Sequence, residues 1–129
     1  MTGPVTHFEI YADEPAKLAE FYSGLFGWRL EKAAGIDYWR IQTKASNSGS
    51  FNGGLTYRPS RGLCGWLHYV NVDSMDAALA QAARTGASVV RPKTAVPRTG
   101  WYAVLEDPQG NPFAIWQADP MAFPPPEPD

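Results

Sequence analysis

The sequence predicts an α+β fold made of two βαβββ modules. The first observation is a strand-like run over residues 7–13 that leads directly into a helix-like run. The second is a degenerate copy of the same pattern over residues 67–86. Asp73 follows Asp13 by 60 residues, a spacing that is too long for a solenoid repeat and suits a duplicated supersecondary module.

Length and charge limit the class of protein. A chain of 129 residues can bury one core but not two independent cores, so the two modules must share one domain. The net charge of the chain is −2, which gives no sign of the basic surface that a nucleic-acid-binding protein requires. The single cysteine, Cys64, cannot form an internal disulfide, and no run of residues is apolar and long enough to span a membrane. We therefore expect a cytoplasmic protein with no nucleic-acid partner and no membrane partner.

The first module, residues 4–58, begins with a strand in which polar and apolar side chains alternate. Its apolar side chains are expected to face the helix that follows, so the opposite face carries His7, Glu9 and Tyr11. The helix is predicted to start at the N-cap Asp13 and to stop at Gly27. Its buried stripe is predicted to consist of Leu18, Phe21, Tyr22 and Leu25.

Three further strands of the first module are predicted at residues 28–31, 38–43 and 51–58. The last of them contains Gly53 and Gly54. Glycines inside a strand often mark a bulge or a surface that another group approaches closely.

The second module, residues 64–117, repeats this order, with a strand and a helix before three more strands. Pro92 and Pro97 are expected to bound a loop, and the segment Asp-Pro-Gln-Gly is typical of a type I turn. The predicted elements are a strand at 66–72, a helix capped by Asp73 and ended by Gly86, a strand at 87–91, a loop at 92–97, and strands at 100–105 and 112–117.

Residues 1–118 are thus predicted to form one domain, and residues 119–129 a proline-rich tail. Five prolines in the tail favour an extended polyproline II conformation without a packed core. Alternatively, the tail is a strap that lays Met121 and Phe123 on a partner subunit.

Three motifs together resemble the vicinal oxygen chelate superfamily, which includes glyoxalase I, bleomycin-resistance proteins and extradiol dioxygenases. They are His7 on the first strand, the segment DEPAKLAEFYSGLFGW after it, and the segment VLEDPQGNPFAIWQ near the end. The resemblance covers roughly residues 4–117. It implies that the sheets of the two modules curve into an open mixed-sheet cup that holds a ligand or a metal.

The resemblance also implies four metal-ligand positions, two in each module. In this chain they match His7, Gly54, Leu67 and Ala114. Only the first of these carries a ligand group. His68 is adjacent to Leu67, but successive strand side chains point to opposite faces, so it is not expected to substitute. Glu9 shares the face of His7, yet a divalent metal normally takes three or four protein ligands. We therefore expect no metal and no cofactor.

Strand alternation selects the side chains that would face such a cup. Side chains two residues from a predicted ligand position share its face. Polar groups would orient a ligand there, and aromatic rings would supply contact area. The candidate substrate-binding residues are His7, Glu9, Asn52, Tyr69 and Trp116. The alternative is that these side chains fill a closed cup as core.

Two functions from different classes remain open. The first is the metal-independent binding of a small organic molecule in the cup, with residues 44–50 as a lid. The second is a small-molecule enzyme, lyase-like or dioxygenase-like, that uses His7 and Glu9 as an acid/base pair or an unconventional metal site. A non-catalytic interaction module is a third possibility. Cys64 lacks the sequence context of a nucleophile, so the catalytic residues stay unknown.

The edges of the predicted sheets should be covered, because exposed strand edges invite pairing. We therefore expect a homodimer whose interface uses strand edges and the rims of the cup.

Overall fold

The computed structural model of the chain describes residues 3–43, 52–59 and 65–124. The α+β class and the two successive βαβββ patterns are confirmed. The elements are β1 (Val5–Ala12), α1 (Pro15–Phe26), β2 (Arg29–Lys32), β3 (Tyr38–Gln42), β4 (Asn52–Tyr57), β5 (Gly65–Asn71), α2 (Met75–Thr85), β6 (Ser88–Val96), β7 (Gly100–Glu106) and β8 (Pro112–Ala118).

The described part of the chain contains no helix that is both long and apolar enough to cross a membrane. The predicted lid at residues 44–50 and the cysteine, Cys64, lie outside the described residues.

By its contacts, the chain divides into two compact units. The N-terminal unit is Thr6–His68, and the C-terminal unit combines Met1–Val5 with Tyr69–Asp129. The start of the chain belongs to the C-terminal unit because the carbonyl oxygen of Pro4 accepts a hydrogen bond from the amide of Asn71, at 2.9 Å.

In the N-terminal unit the strands lie in the order β2-β3-β4-β1, with β1 and β4 parallel and the other pairs antiparallel. Helix α1 packs on one face of these strands, and the predicted alternation of β1 is confirmed. The buried core of this unit consists of Phe8, Ile10, Ala12, Ala19, Ile41 and Leu55.

Helix α1 differs from its prediction at its start and on its buried face. Its N-cap is Glu14, whose side chain makes no capping bond, whereas Asp13 accepts a hydrogen bond from Arg58 Nε at 2.9 Å. The prediction that Asp13 caps the helix is therefore wrong. Gly27 ends the helix in the left-handed conformation, with φ of 70°, as predicted.

The predicted apolar stripe of α1 is only half buried. The helix packs on the strands through Pro15 and Ala19, with Leu18 partly buried beside them. Phe21 and Leu25 are 54% and 58% exposed. Because the helix contacts the sheet along the line of Pro15 and Ala19, Phe21 and Leu25 face solvent, whereas Tyr22 packs against the core.

In the C-terminal unit the strands lie in the order β5-β8-β7-β6, with β5 and β8 parallel and the other pairs antiparallel. Helix α2 covers one face. The core of this unit consists of Val72, Met75, Ala78, Ala103, Leu105 and Ile115.

Helix α2 is capped by Ser74, whose Oγ accepts a hydrogen bond from the amide of Ala77 at 3.2 Å, so the prediction of Asp73 as the cap is wrong. Gly86 ends the helix in the left-handed conformation, as predicted. The predicted turn after β7 is confirmed by a hydrogen bond of 2.9 Å from the amide of Gly110 to the carbonyl oxygen of Asp107.

The predicted loop at residues 92–97 is wrong, because β6 continues through Pro92 to Val96. Proline lacks an amide donor and is tolerated in strands that lie at a sheet edge or contain a bulge. Strand β6 is the last in its unit, and its register with β7 shifts between Val89 and Arg91 and again between Arg91 and Thr94.

The first residues after β8 are packed rather than free. The side chain of Asp119 accepts hydrogen bonds from Trp101 Nε1 and from the amide of Met121, each at 2.9 Å. Ala122 is fully buried, and its carbonyl oxygen accepts a bond from the amide of Arg98. The side chain of Met121 is exposed.

Candidate functional site

The polar face of the N-terminal unit is the face of its sheet that points away from α1. Strand β1 contributes His7, Glu9 and Tyr11 to it, as alternation predicted. The register places Asn52 beside His7, Gly54 beside Glu9, and Arg40 of β3 on the far side of Gly54. Three of the five predicted site residues therefore share this face.

Glu9 accepts a hydrogen bond at each of its two carboxylate oxygens. Its Oε1 accepts a hydrogen bond from Tyr11 Oη at 2.7 Å, and its Oε2 accepts one from Tyr38 Oη at 2.9 Å. A hydrogen bond to each oxygen restricts the rotation of the carboxylate. Bonds between a neutral donor and an ionised acceptor are also stronger than bonds between neutral groups. The two phenols thus hold Glu9 in one orientation.

The absent side chain of Gly54 explains how Tyr38 reaches Glu9. Tyr38 lies on β3, and Gly54 on β4 separates it from β1. A Cβ atom on Gly54 would collide with the hydroxyl and ring atoms of Tyr38. The expectation that Gly54 marks a closely approached surface is therefore confirmed.

Burial and the charge of Glu9 determine the protonation states of Tyr38 and His7 on the polar face. Burial raises the pKa of Tyr38 above its ordinary range, and the charge of Glu9 and the hydrogen bond to it act in the same direction. Tyr38 is consequently a donor at neutral pH. Burial lowers the pKa of His7, although the charge of Glu9 opposes the shift. The imidazole of His7 is therefore neutral at pH 7 and can accept a proton.

A pocket of about 300 Å³ opens at one end of this unit, where β3 ends and where β2 and β4 begin. Ile41 and Gly53 form part of its lining. Arg29 Nε is paired there with Glu31 Oε1 at 2.7 Å. The polar side chains that line the pocket belong to Arg29, Glu31, Arg40, Gln42 and Asn52.

The other two predicted site residues lie in the C-terminal unit. Tyr69 is 6% exposed, and it lies opposite Ala114 in the pairing of β5 with β8. Trp116 lies two residues beyond Ala114 and shares its face, as alternation predicted. The ring of Trp116 lies over Gly100, where a Cβ atom would meet ring atoms at 2.5 and 2.7 Å.

The residues present do not fit the metal site that the resemblance implies. Of its four positions, Gly54, Leu67 and Ala114 have no ligand group, and all three are buried. Within residues 3–43, 52–59 and 65–124, no three His, Cys, Asp or Glu side chains come together as a metal site would need. His68 is exposed and has the strand parity of Trp66, whose ring packs against Phe8 on the helix side.

Sequence reasoning missed the contribution of β3 to the polar face. Tyr38 and Arg40 alternate with Trp39 and Ile41, and only the second pair packs against the helix side of the core. This alternation is visible in the sequence. Which pair faces the helix could not be read from the sequence, because each pair contains an aromatic ring. The answer required knowledge of which strand pairs with β3.

Comparison with known proteins identifies the family. A family model described as a glyoxalase-like domain matches residues 7–116. The chain belongs to the glyoxalase-like domain family. Membership in the vicinal oxygen chelate superfamily follows, as the sequence motifs indicated.

Two curated relatives of this glyoxalase-like chain carry the name "Putative glyoxylase CFP32", from Mycobacterium bovis and Mycobacterium tuberculosis. Each is 32% identical over 124 residues, which is 93% of this chain and 46% of the relative. The chain thus spans about half the length of the curated relatives it matches.

Solved structures agree with this fold. The NAD-dependent benzaldehyde dehydrogenase structure from Legionella pneumophila matches with a TM-score of 0.65 and 20% identity, over 88% of this chain and 98% of that one. A glyoxalase/bleomycin resistance protein/dioxygenase superfamily member from Vibrio splendidus matches with a TM-score of 0.62 and 12% identity, over 90% and 99%. At these identities the likeness shows the fold alone.

Proposed function

We propose that this glyoxalase-like protein binds a small organic molecule on the polar face of its N-terminal unit, without a metal ion. The pocket of about 300 Å³ is the observation that supports this most directly. Its volume lies at the lower end of the range of about 300–1,000 Å³ for small-molecule sites. Asn52 lines this pocket and lies beside His7 in the strand register.

The fixed polar groups would orient the ligand. Glu9 is held by two phenols and can accept hydrogen bonds in a defined direction. His7, neutral at pH 7, has one donor and one acceptor nitrogen, of which Nδ1 lies 3.3 Å from Thr6 Oγ1. In a site protected from water, hydrogen bonds from a ligand to such preoriented groups require little rearrangement of the protein. Tyr69 and Trp116 lie on the C-terminal unit, outside this site, and their contact with a ligand stays a prediction.

A screen of a diverse metabolite set by thermal shift and tryptophan fluorescence tests this proposal. For any compound that binds, Asn52→Ala should weaken binding by about 0.5–1.5 kcal/mol, the usual contribution of a hydrogen bond between neutral groups. Gln109→Ala, which removes an amide from an exposed turn, is the matched control. The proposal fails if no compound binds, or if the two variants bind equally well.

Elemental analysis tests the metal-free part separately. We expect less than stoichiometric zinc, nickel, iron or manganese in the purified protein, because three of the four implied positions have no ligand group. About one such metal per chain that is lost in His7→Ala would contradict this part of the proposal.

An enzyme is the second candidate, and two observations favour it. The curated relatives are named as a glyoxylase at 32% identity, although this chain spans only half of their length. A neutral His7 near an oriented Glu9 also has the protonation state of a general base. Turnover of a bound compound that is lost in both His7→Gln and Glu9→Gln, with binding retained, would support this candidate. Binding without turnover would favour the first.

A further inference from the structure

Arg91 lies where β6 is irregular. The register of β6 with β7 shifts on both sides of this residue. Arg91 lies opposite Val104, whose neighbours Ala103 and Leu105 both belong to the core under α2. Arg91 therefore points to the face of the C-terminal sheet that is turned away from α2. Bulges of this kind often redirect a side chain next to a functional site.

The side chain of Arg91 is partly buried, and its Nε has no acceptor within the described part of the chain. This Nε is itself buried. No carboxylate in the described ranges forms an ion pair with Arg91, in contrast to Arg29 and Arg58, which pair with Glu31 and Asp13. A buried donor without an acceptor is rare in folded proteins and calls for an explanation.

One aromatic ring lies against the guanidinium of Arg91, and a second lies on the next strand. The Cζ of Arg91 lies 5.7 Å from the ring centroid of Tyr102, within the range of a cation–π contact. Tyr102 lies directly opposite Trp116 in the pairing of β7 with β8. The face turned away from α2 thus carries a guanidinium beside a phenol ring, with an indole ring opposite that phenol on the next strand.

We propose that Arg91 binds the carboxylate of a flat, aromatic organic ligand whose body lies against Tyr102 and Trp116. The planar guanidinium matches the geometry of a carboxylate, which would pair with its terminal nitrogens; Nε is shielded from solvent and would gain an acceptor only if the side chain turns outward. The rings would supply the apolar contact area. This inference goes beyond the proposed function, because it assigns a second site, on the C-terminal unit, and names the chemical class of its ligand.

Matched pairs of probes test the carboxylate. Benzoate and 2-naphthoate are compared with benzamide and 2-naphthamide by titration of tryptophan fluorescence on the full chain. We expect each carboxylate to bind more tightly than its amide, and Arg91→Gln to weaken carboxylate binding by about tenfold or more while sparing the amides. Arg91→Lys, which keeps the charge without the planar fork, should recover only part of the affinity.

Arg98→Gln is the matched control. Its Cζ also lies 5.7 Å from an aromatic ring, that of Phe123, but Arg98 is exposed and lies in a turn. We expect this variant to bind carboxylates as the wild type does. Phenyl phosphate and inorganic phosphate complete the set. Binding of phenyl phosphate that depends on Arg91, without binding of the carboxylates, would overturn the carboxylate assignment.

Thermal stability without ligand provides a second, independent measurement. Arg91→Met removes the charge and the unpartnered donor but keeps an extended apolar side chain. We expect its Tm to equal or exceed that of the wild type, because a group kept for ligand binding does not stabilise the empty protein. A lower Tm would assign Arg91 a structural role and overturn the inference.

The outcomes also separate this inference from the proposed function. If neutral compounds bind but no carboxylate is preferred over its amide, the inference fails and small-molecule binding stands. If nothing binds at all, both fail.

Discussion

Because Gly54 has no side chain, another group can occupy the space above it on the polar face of the N-terminal unit. The Tyr38 ring occupies the space above it and donates its hydroxyl to Glu9. A larger residue at this position would need that space for its own Cβ. The orientation of Glu9 therefore depends on a residue that makes no side-chain contact of its own.

Gly54→Ala tests this dependence. The added Cβ should displace Tyr38, and we expect the free energy of unfolding to fall by about 1–3 kcal/mol, as for other overpacked sites. Gly24→Ala is the control, because a Cβ at this position in α1 meets nothing within 4 Å. It should leave stability unchanged or raise it by about 0.5–1 kcal/mol, since alanine is the better helix former. Urea denaturation measures both variants.

The Tyr38→Ala background provides the decisive comparison. Without the ring, Gly54→Ala should cost little, so the two substitutions should show a coupling energy of about 0.5–3 kcal/mol. An equal cost of Gly54→Ala in both backgrounds would show that Tyr38 is not the group displaced.

The lowered pKa of His7 makes stability depend on pH. The folded chain binds a proton at His7 only below the ordinary pKa of 6.5, because burial disfavours the imidazolium. The unfolded chain binds that proton at 6.5, so the free energy of unfolding should fall as the pH drops from 6.5 toward the lower folded-state value. His7→Gln cannot titrate and should show a weaker loss over this window.

Urea denaturation from about pH 7.5 to about pH 5 at constant ionic strength measures this difference. The turn carboxylate of Asp107 does not interfere. Its pKa is lowered by hydrogen bonds from the backbone and side chain of Asn111, so its contribution is lost only as the pH falls below 3.8. A His7→Gln variant with the same pH dependence as the wild type would contradict the prediction.

The two helices differ at their first turns. Ser74 caps α2 through its side chain, whereas the side chain of Glu14 makes no capping bond at the start of α1. The proline at the start of α1 has no amide hydrogen and needs no acceptor there. The same position in the βαβββ pattern is thus stabilised by different chemistry in the two modules.

Ser74→Ala should therefore destabilise the protein by about 1 kcal/mol, the usual cost of losing a capping side chain. Glu14→Ala should cost less, since it removes only an exposed ion pair with Lys17, which contributes about 0–1 kcal/mol. Urea denaturation of the two variants measures both losses in the free energy of unfolding. Equal losses would show that the capping bond of Ser74 does not stabilise α2.

At the scale of the whole molecule, uncovered surfaces point to an assembly. Strands β2 and β6 end the strand order of their units, and Val89 and Val90 on β6 are exposed. Helix α1 exposes Phe21, Leu25 and Phe26. Unpaired strand edges and contiguous apolar side chains both favour association with another chain.

We predict a homodimer. Sedimentation velocity at micromolar concentration should give twice the mass of the 14.2 kDa chain. Val90→Lys should dissociate the dimer if the edge of β6 forms the interface, and Phe21→Lys if the exposed face of α1 does. A wild-type protein that sediments as a monomer would contradict the prediction.

The sequence by itself determined the fold class, the two modules, and which side chains of β1 and of β8 share a face of the sheet. Period-two alternation and helix-ending glycines depend on backbone geometry that neighbouring residues specify. The family motifs at residues 7–28 and 104–117 were likewise readable without coordinates. Asn52, Tyr69 and Trp116 could thus be assigned to faces of their strands in advance.

Only the tertiary structure decided which groups meet across strands. Tyr38 reaches Glu9 over Gly54, and Arg91 reaches Tyr102 across an irregular register. The continuation of β6 through Pro92 also depends on its place at the end of the strand order. Strand pairing joins residues that are far apart in the chain, and the local spacing of residues does not specify which strands pair.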